Sequence, residues 1–340
     1  MTSINLGSIF LGKEIPSLPS VEAMGDFSHP MTPARNPGHD FPAWAVRALP
    51  TWWAMPQSLG GGLFVTGPSG CGKSSTLREW CARTGTPCYQ VTANGRLEFQ
   101  DLVGRVALES DGQGGTRTSF VYGPLAMAMK EGGLFLLDEL DLLDPSVCAG
   151  LNGVLDGSGL MIPENAGEYI APHPAFRFAA TGNSSGSGDS SGAYAGVMVQ
   201  NAALMDRFTV VRADWLPRRR ESALVASVPG GASGETLELM MNFAESIRAE
   251  QGPLGVSKPL TTRSLRRWSA YIAAYGSKPA AALGGRSAVA AALMDAWAAG
   301  LSEADAASVS ETYQRVFGVP LSPDAQQSSQ SGTSRGGSNE

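Results

Sequence analysis

The feature that most constrains this chain is a glycine-rich segment that lies between a short apolar run and a stretch with helical spacing. The apolar run covers residues 62–66, and apolar residues recur at Leu77, Trp80 and Cys81 after the segment. The segment fits the pattern G-x-x-x-x-G-K-[ST]. Its glycines allow a tight curl of main chain, whose N–H groups point inward beside a helix N-terminus that favours anions. A chance match among 42 glycines is disfavoured, because strand, loop and helix follow in the required order.

This pattern predicts that the chain binds a nucleoside triphosphate. Lys73 would reach the β- and γ-phosphates, and the Ser74 hydroxyl would ligate Mg²⁺. The predicted cofactors are therefore ATP and Mg²⁺. The residues predicted to form the binding loop are Gly67, Pro68, Ser69, Gly70, Cys71, Gly72, Lys73, Ser74 and Ser75.

The composition describes a globular protein and argues against two other classes. The chain has 340 residues, of which 43% are hydrophobic and 16% charged, which predicts one large or two modest domains. A net charge of −6 argues against a general nucleic-acid surface, and residues 218–220 (RRR) are interpreted as a solvated helix start. No apolar run is long enough for a bilayer and no secretory signal is visible, so we expect a cytoplasmic protein. The four cysteines show no metal-ligand spacing, and reduced thiols are expected.

The order of apolar runs and helical patterns predicts an α/β fold with a parallel sheet, followed by a small all-α domain. Besides residues 62–66, the predicted strands are residues 87–92, 133–137 and 176–181. Trp44, Trp52 and Trp53 are expected to pack against the core. Helices are expected around residues 237–247, 262–275 and 286–299. The predicted organisation is an extended N-terminal arm over 1–40, a nucleotide-binding domain over 41–216, a helical lid over 217–320 and a disordered tail over 321–340.

Polar side chains that follow the predicted strands complete a candidate ATPase site. Asp138 and Glu139 end the apolar run 133–137, and ligands gather at the carboxyl ends of parallel strands. Asp138 would hold Mg²⁺, and Glu139 would polarise the attacking water. The alternative for an isolated Asp-Glu pair is a helix start. Asn183 follows the next strand and could hold that water or the γ-phosphate, although Asn beside Gly is also a turn signal.

Two arginines could reach the nucleotide from outside the sheet. Arg207 lies at the end of a short predicted helix, where it could stabilise the transition-state charge at a neighbouring subunit. The alternative is an ion pair with Asp206 or another nearby carboxylate within the same subunit. Arg263 opens a helix of the C-terminal region and is a second candidate, with Arg266 and Arg267 as competitors.

Together these residues resemble an AAA+ ATPase of the MoxR branch, and most closely the CobS-type ATPase subunits of aerobic cobaltochelatases. Besides the ATP motifs, the resemblance rests on four segments and covers roughly residues 40–275. These segments are residues 122–125 (YGPL), 129–133 (MKEGG), 181–194 (TGNSSGSGDSSGAY) and 205–208 (MDRF). The long Gly/Ser loop between Asn183 and Arg207 is the most discriminating of them.

The resemblance implies a hexameric ring with ATP sites between subunits and, as a partner, a von Willebrand A-domain protein. It assigns phosphate and Mg²⁺ contacts to Lys73 and Ser74, and the metal and water roles to Asp138 and Glu139. Asn183 would be the first sensor, Arg207 the finger supplied in trans and Arg263 the second sensor. It also implies two hairpins that face the pore or the partner, at residues 106–120, with a turn at 112–115, and at residues 160–174. Ordinary connecting loops are the alternative.

The function implied is an ATPase whose ring remodels a partner complex. Two other hypotheses stay open: a nucleotide-gated scaffold with little hydrolysis, and a DNA-acting AAA+ motor. Intact Glu139 and Arg207 argue against the scaffold, and the acidic balance argues against the DNA motor. Nothing in the sequence resembles a cobalt or tetrapyrrole site, since His29, His39 and His173 are scattered and no Cys/His cluster occurs.

Overall fold

The computed structural model describes residues 1–110, 115–184, 196–249 and 256–322. Its chain separates into two compact units, with the division between Trp215 and Leu216. The predicted turn at 112–115, apart from Gly115, and the Gly/Ser loop over residues 185–195 lie outside the described residues. The predicted tail does so from residue 323 onward.

The strands are β1 (Thr2–Asn5), β2 (Ser20–Ala23), β3 (Gly62–Thr66), β4 (Cys88–Thr92), β5 (Gly104–Ser110), β6 (Thr116–Tyr122), β7 (Gly133–Asp138), β8 (Leu160–Ile162), β9 (Glu168–Ile170), β10 (Phe176–Gly182) and β11 (Phe208–Arg212). The helices of the first unit are α1 (Leu6–Leu11), α2 (Ala43–Ala54), α3 (Gln57–Gly60), α4 (Lys73–Thr84), α5 (Phe99–Val103), α6 (Pro124–Glu131), α7 (Pro145–Leu155) and α8 (Ala202–Met205). Those of the second unit are α9 (Arg218–Ala226), α10 (Gly234–Ala249), α11 (Thr262–Tyr275), α12 (Ala288–Ala296) and α13 (Glu303–Phe317).

A five-stranded parallel sheet in the order β11–β3–β10–β7–β4 forms the centre of the first unit. The four predicted strands are among its members, and the predicted α/β fold is confirmed. The fifth strand, β11, was not predicted. It lies at an edge of the sheet and buries only Phe208 and Val211 of its five residues, so its sequence lacks the unbroken apolar run of the inner strands.

Successive side chains of each strand point to opposite sides of the sheet. Both faces of the sheet are buried, each in a separate hydrophobic cluster. Phe64, Phe135 and Phe178 enter one hydrophobic cluster together with residues of α6 and α7. Leu63 and Leu134 enter a second cluster on the other side. That second cluster also contains the three predicted tryptophans, Trp44, Trp52 and Trp53, whose burial is confirmed.

Two antiparallel hairpins project from the first unit at the positions that the resemblance implied. Strands β5 and β6 form the first, between α5 and α6, and β8 and β9 form the second, before β10. Exposed apolar side chains lie on both: Leu108 is 75% exposed on the first, and Met161 and Tyr169 are exposed on the second. The predicted hairpins are therefore present.

The N-terminal segment differs from the extended arm predicted for residues 1–40. Strands β1 and β2 pair with each other around α1, and Ile9 and Val21 are buried in the cluster that contains the tryptophans. The Asn5 side chain caps α1 and donates to the Ile15 and Leu18 carbonyls. The composition, rich in Pro, Ser and Gly, suggested an extended segment. A few buried apolar side chains and the hydrogen bonds of Asn5 are nevertheless enough to anchor it.

In the part of the second unit that the structure describes, the only regular elements are helices, around a core that includes Phe243, Trp268 and Tyr313. Helix α11 has the predicted bounds. Helix α12 is shorter than the predicted span 286–299, because the main chain leaves the helical region at Trp297 and continues as a 3-10 turn, Ala298–Gly300.

Candidate functional site

The candidate site lies along one edge of the central sheet, at the carboxyl ends of three neighbouring strands. Strand β10 lies between β3 and β7 and pairs in parallel with both. The glycine-rich loop follows β3, the Asp138–Glu139 pair ends β7, and Asn183 follows β10. Parallel pairing therefore brings together three motifs that are far apart in the sequence.

The loop between β3 and α4 has a backbone that only glycine adopts easily. Gly70 and Gly72 have φ values of 76° and 96°, in the left-handed region. A Cβ on Gly67 would lie 2.0 Å from the Ala213 carbonyl oxygen, so no larger residue fits there. The Ser75 hydroxyl donates to the Gly72 carbonyl at 3.0 Å and braces the start of the helix. The first N–H groups of a helix lack intrahelical partners, and those of α4 open onto this loop.

Lys73 is the first residue of α4, and its side chain is buried with 7% exposure. Its ammonium donates to the carbonyls of Gly67 at 2.7 Å and Pro68 at 3.0 Å, and to Asn183 Oδ1 at 3.0 Å. Burial lowers the pKa of Lys73, and nearby acidic groups counteract this. The lysine is thus held at the junction of the loop and β10 by three acceptors.

Cys71, within the loop, is buried, and burial raises the pKa of its thiol. Its thiol is therefore a buried packing group and not an activated thiolate.

Asp138 is the polar centre of the site. Its Oδ1 accepts from the Ser74 hydroxyl at 2.5 Å and from the Thr181 hydroxyl, and its Oδ2 accepts from Gln90 Nε2 at 3.2 Å. A serine hydroxyl beside a carboxylate provides two hard oxygen donors. This set fits Mg²⁺, which takes one or two protein oxygens and completes its shell with water and substrate phosphate.

Glu139 has an unusual main-chain conformation. Its φ of 60° lies in the left-handed region, which costs a non-glycine residue about 1–2 kcal/mol. Its N–H donates to Thr181 Oγ1 at 3.2 Å, so the same threonine contacts both acidic residues. Residues in such conformations cluster at functional sites, where the surrounding structure over-determines them.

Asn183 lies directly beyond β10 and joins two parts of the site. Its side-chain oxygen accepts from Lys73, and its N–H donates to Asp141 Oδ2 at 2.8 Å. Ser184 N–H donates to the same carboxylate oxygen at 2.9 Å. The structure therefore brings Lys73, Ser74, Asp138, Glu139 and Asn183 to one place.

Arg207 lies at the amino ends of the sheet strands, on the side opposite to the candidate site. It precedes β11, and its carbonyl accepts from Gly62 N–H at the start of β3. Strand β3 then runs from Gly62 to Thr66, about 13 Å at the usual rise of about 3.3 Å per residue, before the phosphate loop begins. The Arg207 guanidinium donates to Asp156 at 2.8 Å and to the Ala203 carbonyl at 2.6 Å. The alternative considered from the sequence, an ion pair within the subunit, is present, although with Asp156.

Arg263 lies in the second unit, in the first turn of α11 after the N-cap Thr261. Its side chain is exposed, as are those of its competitors Arg266 and Arg267. Of these, Arg267 donates to the Ala296 carbonyl at 3.4 Å. A cation in the first turn opposes the helix dipole at a cost of about 0.3–1 kcal/mol, so stability does not explain Arg263.

Three residues of this site were missed by reasoning from the sequence. Thr181 and Gln90 contact Asp138, and Asp141 holds the main chain at Asn183. A signal existed for two of them, because Gln90 and Thr181 are polar residues within or at the end of otherwise apolar strands. Asp141 offered none, since an acidic residue after Asp138 and Glu139 also fits a solvated turn.

Comparison with known proteins agrees with this geometry. The model of the AAA domain family, dynein-related subfamily, matches residues 62–208. The chain carries an AAA+ domain. It is 32% identical over 219 residues to the aerobic cobaltochelatase subunit CobS of Sinorhizobium sp, a match that covers 63% of this chain and 66% of that protein. The AAA+ domain is therefore related to CobS, as the resemblance implied, and the match spans slightly less than two thirds of the CobS subunit.

Two staphylococcal proteins are also similar to the chain. An uncharacterized protein of Staphylococcus haemolyticus is 27% identical over 199 residues, which cover 58% of this chain and 73% of that one. An uncharacterized protein of Staphylococcus aureus (strain USA300) is 27% identical over 194 residues, with coverages of 56% and 71%.

Within the described residues, no helix combines the length and apolar character needed to cross a membrane. Over the same residues, no group of three or more His, Cys, Asp or Glu side chains is arranged to hold a metal ion.

Proposed function

We propose that this protein binds MgATP at the carboxyl edge of its sheet and hydrolyses it between the subunits of a ring, in order to remodel a partner protein complex. The observation that carries the proposal is that the phosphate-loop Ser74 and Thr181 both donate to Asp138, beside the hydrogen bond from Lys73 to Asn183. Five residues from the start of α4 and the ends of β7 and β10 meet there, and they supply the cation, the oxygen ligands and the amide that triphosphate chemistry uses.

Each of these residues has a separate role in the proposal. The loop N–H groups and the Lys73 ammonium bind the phosphates. Ser74 and Asp138 hold Mg²⁺, which when bound neutralises charge on the phosphates. Glu139 polarises the attacking water, and its main chain is held by Thr181. Asn183, fixed between Lys73 and Asp141, orients the water or the γ-phosphate.

The position of Arg207 supports a site shared between subunits. Within one chain this arginine and the phosphate loop lie at opposite edges of the sheet, so Arg207 does not serve its own loop. An arginine at that edge is available to the nucleotide of a neighbouring copy, and a ring places such copies edge to edge. A hexamer is the proposed number. Arg263, a cation kept in an unfavourable helix turn, is the proposed second sensor.

The exposed apolar side chains of the two hairpins support a partner-remodelling role. Leu108, Met161 and Tyr169 lie on hairpins of the same unit that carries the nucleotide site. We propose a von Willebrand A-domain protein as the partner, by analogy with the relationship to CobS, and a cytoplasmic setting.

The experiment compares ATP binding and hydrolysis by the wild-type chain and by Lys73→Ala, with the exposed Lys13→Ala as the matched control. Wild type and Lys13→Ala are expected to hydrolyse ATP only with Mg²⁺, and EDTA should stop the reaction. Lys73→Ala should lose tight ATP binding, because loop N–H groups alone do not balance the triphosphate charge. Near-normal ATP affinity in Lys73→Ala would contradict the proposed site. Stimulation of turnover by DNA would instead favour the DNA-motor hypothesis.

A further inference from the structure

Asp141 is a buried acidic residue that the proposed chemistry does not use. It lies in the 3-10 turn Leu140–Leu142 directly after Glu139, and its relative exposure is 0%. Burying a carboxylate is costly unless charge and hydrogen bonds compensate it. A solvated turn would carry no such cost, so the burial calls for a reason.

The hydrogen bonds that compensate the buried Asp141 carboxylate come from one short piece of main chain. Its Oδ2 accepts from the consecutive N–H groups of Asn183 and Ser184, at 2.8 and 2.9 Å. Hydrogen bonds to a carboxylate are roughly twice as strong as those between neutral groups. These two hydrogen bonds therefore fix the main chain directly after the carboxyl end of β10. Its main-chain carbonyl accepts from Met198 N–H at 2.8 Å, so Asp141 contacts the chain on both sides of residues 185–195.

The other carboxylate oxygen, Oδ1, has no hydrogen-bond partner among the described residues. A buried acceptor without a partner is destabilising, and a neutral side chain would avoid the cost of burying charge at this place. Stability of the fold alone therefore does not explain why an ionisable residue is found here.

A continuous path of contacts links Asp141 to the phosphate-binding lysine. Asp141 holds the Asn183 N–H, and the Asn183 side-chain oxygen accepts from Lys73 Nζ at 3.0 Å. The contacts therefore lead from Asp141 through Asn183 to the candidate site.

We propose that Asp141 is a positioning residue of the candidate ATPase site: its buried carboxylate fixes the main chain at Asn183 and so aims the Asn183 amide at the Lys73 ammonium and the bound γ-phosphate. This inference rests on the proposed function. Asp141 does not touch the reacting atoms in this scheme and acts only through Asn183.

The test is a double-mutant cycle of Asp141→Asn and Asn183→Ala, with kcat and nucleotide affinity measured separately. Asn keeps the shape of Asp but accepts more weakly. Asp141→Asn should lower kcat about tenfold, the scale of a weakened charge-assisted bond, while affinity for a fluorescent ATP analogue changes less than about threefold. The kcat of the double variant should equal that of Asn183→Ala within about twofold, because Asp141 acts through Asn183. Glu14→Gln, which removes an exposed acid from the same unit, should be unchanged.

Several results would overturn the proposal. Multiplicative losses in the double variant would show that Asp141 acts independently of Asn183. If Asp141→Asn lowers the nucleotide affinity as much as kcat and also lowers the thermal stability, its role is merely structural. If Asp141→Asn does not fold, hydrogen exchange of the wild-type protein decides: the Asn183 and Ser184 amides should exchange at least about a hundredfold more slowly than in a free peptide, and unprotected amides would refute the contact.

Failure of the proposed function is distinguishable from failure of this inference. A wild-type chain that hydrolyses ATP no faster than Glu139→Gln would refute the ATPase itself, whereas the exchange measurement still tests the Asp141 contact. An active wild type with an unaffected Asp141→Asn would refute only the positioning role.

Discussion

At the scale of single residues, the site is a set of polar atoms whose positions are over-determined by shared partners. Thr181 is the clearest case, because its hydroxyl donates to Asp138 and accepts from the Glu139 N–H. It therefore connects the proposed metal residue to the proposed water residue, and it helps to hold Glu139 at a φ of 60°. None of this follows from the pattern of acidic residues alone.

Replacing Glu139 by glutamine should separate binding from chemistry. The amide keeps the size of the side chain but does not polarise water as a carboxylate does. We expect Glu139→Gln to bind MgATP normally and to lose hydrolysis by at least about a hundredfold, the usual contribution of a general base. Single-turnover hydrolysis and nucleotide binding measure the two effects, with Glu14→Gln as the control. Turnover near the wild-type rate would remove Glu139 from the mechanism.

Replacing Thr181 by valine tests the connection between the two acids. Valine has nearly the same shape but neither donates to Asp138 nor accepts from Glu139. We expect kcat to fall about tenfold, because one charge-assisted and one neutral hydrogen bond are lost. Thr181→Ser should restore most of the rate, since it returns the hydroxyl. A serine variant as slow as the valine variant would show that the hydroxyl is not the relevant group.

At the scale of elements, a buried ion pair ties three helices of the second unit together. Arg248 on α10 donates to both oxygens of Glu221 on α9, at 2.7 and 2.8 Å. Thr262 at the start of α11 donates to the same carboxylate at 2.5 Å, and Arg248 also donates to the Leu260 carbonyl. Both oxygens of the Glu221 carboxylate thus accept hydrogen bonds, and a buried charge is tolerated only when it is compensated in this way.

Breaking this ion pair should unfold the helical unit more easily. Glu221 is only 1% exposed, so Glu221→Ala removes a buried carboxylate that accepts two hydrogen bonds from the Arg248 guanidinium. We expect the free energy of unfolding to fall by about 3–5 kcal/mol. Glu238→Ala is the matched control, because Glu238 pairs with Arg218 while 64% exposed and should cost no more than about 1 kcal/mol. Urea unfolding measures both, and equal losses would contradict the special weight given to the buried pair.

At the scale of the whole molecule, the sheet separates the two halves of the proposed catalytic site. The phosphate loop, Asp138 and Asn183 lie at its carboxyl edge, and Arg207 lies at its amino edge with Asp156. In the proposed scheme, a single copy of the chain has one part of the catalytic site at each end of the sheet. We propose that assembly with neighbouring copies brings these parts together. The ion pair with Asp156 would hold Arg207 in place before assembly.

Mixing two inactive variants tests assembly directly. Arg207→Ala and Lys73→Ala should each be inactive, since an arginine finger contributes on the order of a thousandfold. When their subunits exchange, some interfaces join an intact loop to an intact arginine, and partial ATPase activity should return. Arg212→Ala, which removes an exposed arginine on β11, should be active by itself. Proven mixed rings without activity would count against the shared site, and full activity in a strict monomer would end the ring model.

The sequence by itself determined the parts of this protein that depend on local pattern. A strand, a glycine-rich loop and a helix in that order predicted the phosphate loop, and short, mainly apolar runs predicted four strands, because buried parallel strands need apolar residues on both faces. Helix α11 was predicted within its observed bounds for the same kind of reason, a clear helical period.

The tertiary structure decided what depends on contacts between distant segments. It brought Gln90, Thr181 and Asp141 to the site, placed Arg207 across the sheet from the loop, and anchored the N-terminal segment through Ile9 and Val21. Strand β11 also escaped prediction, because an edge strand needs burial only in part. Such features are set by parallel pairing and packing between residues tens of positions apart, and a local pattern contains no record of that pairing.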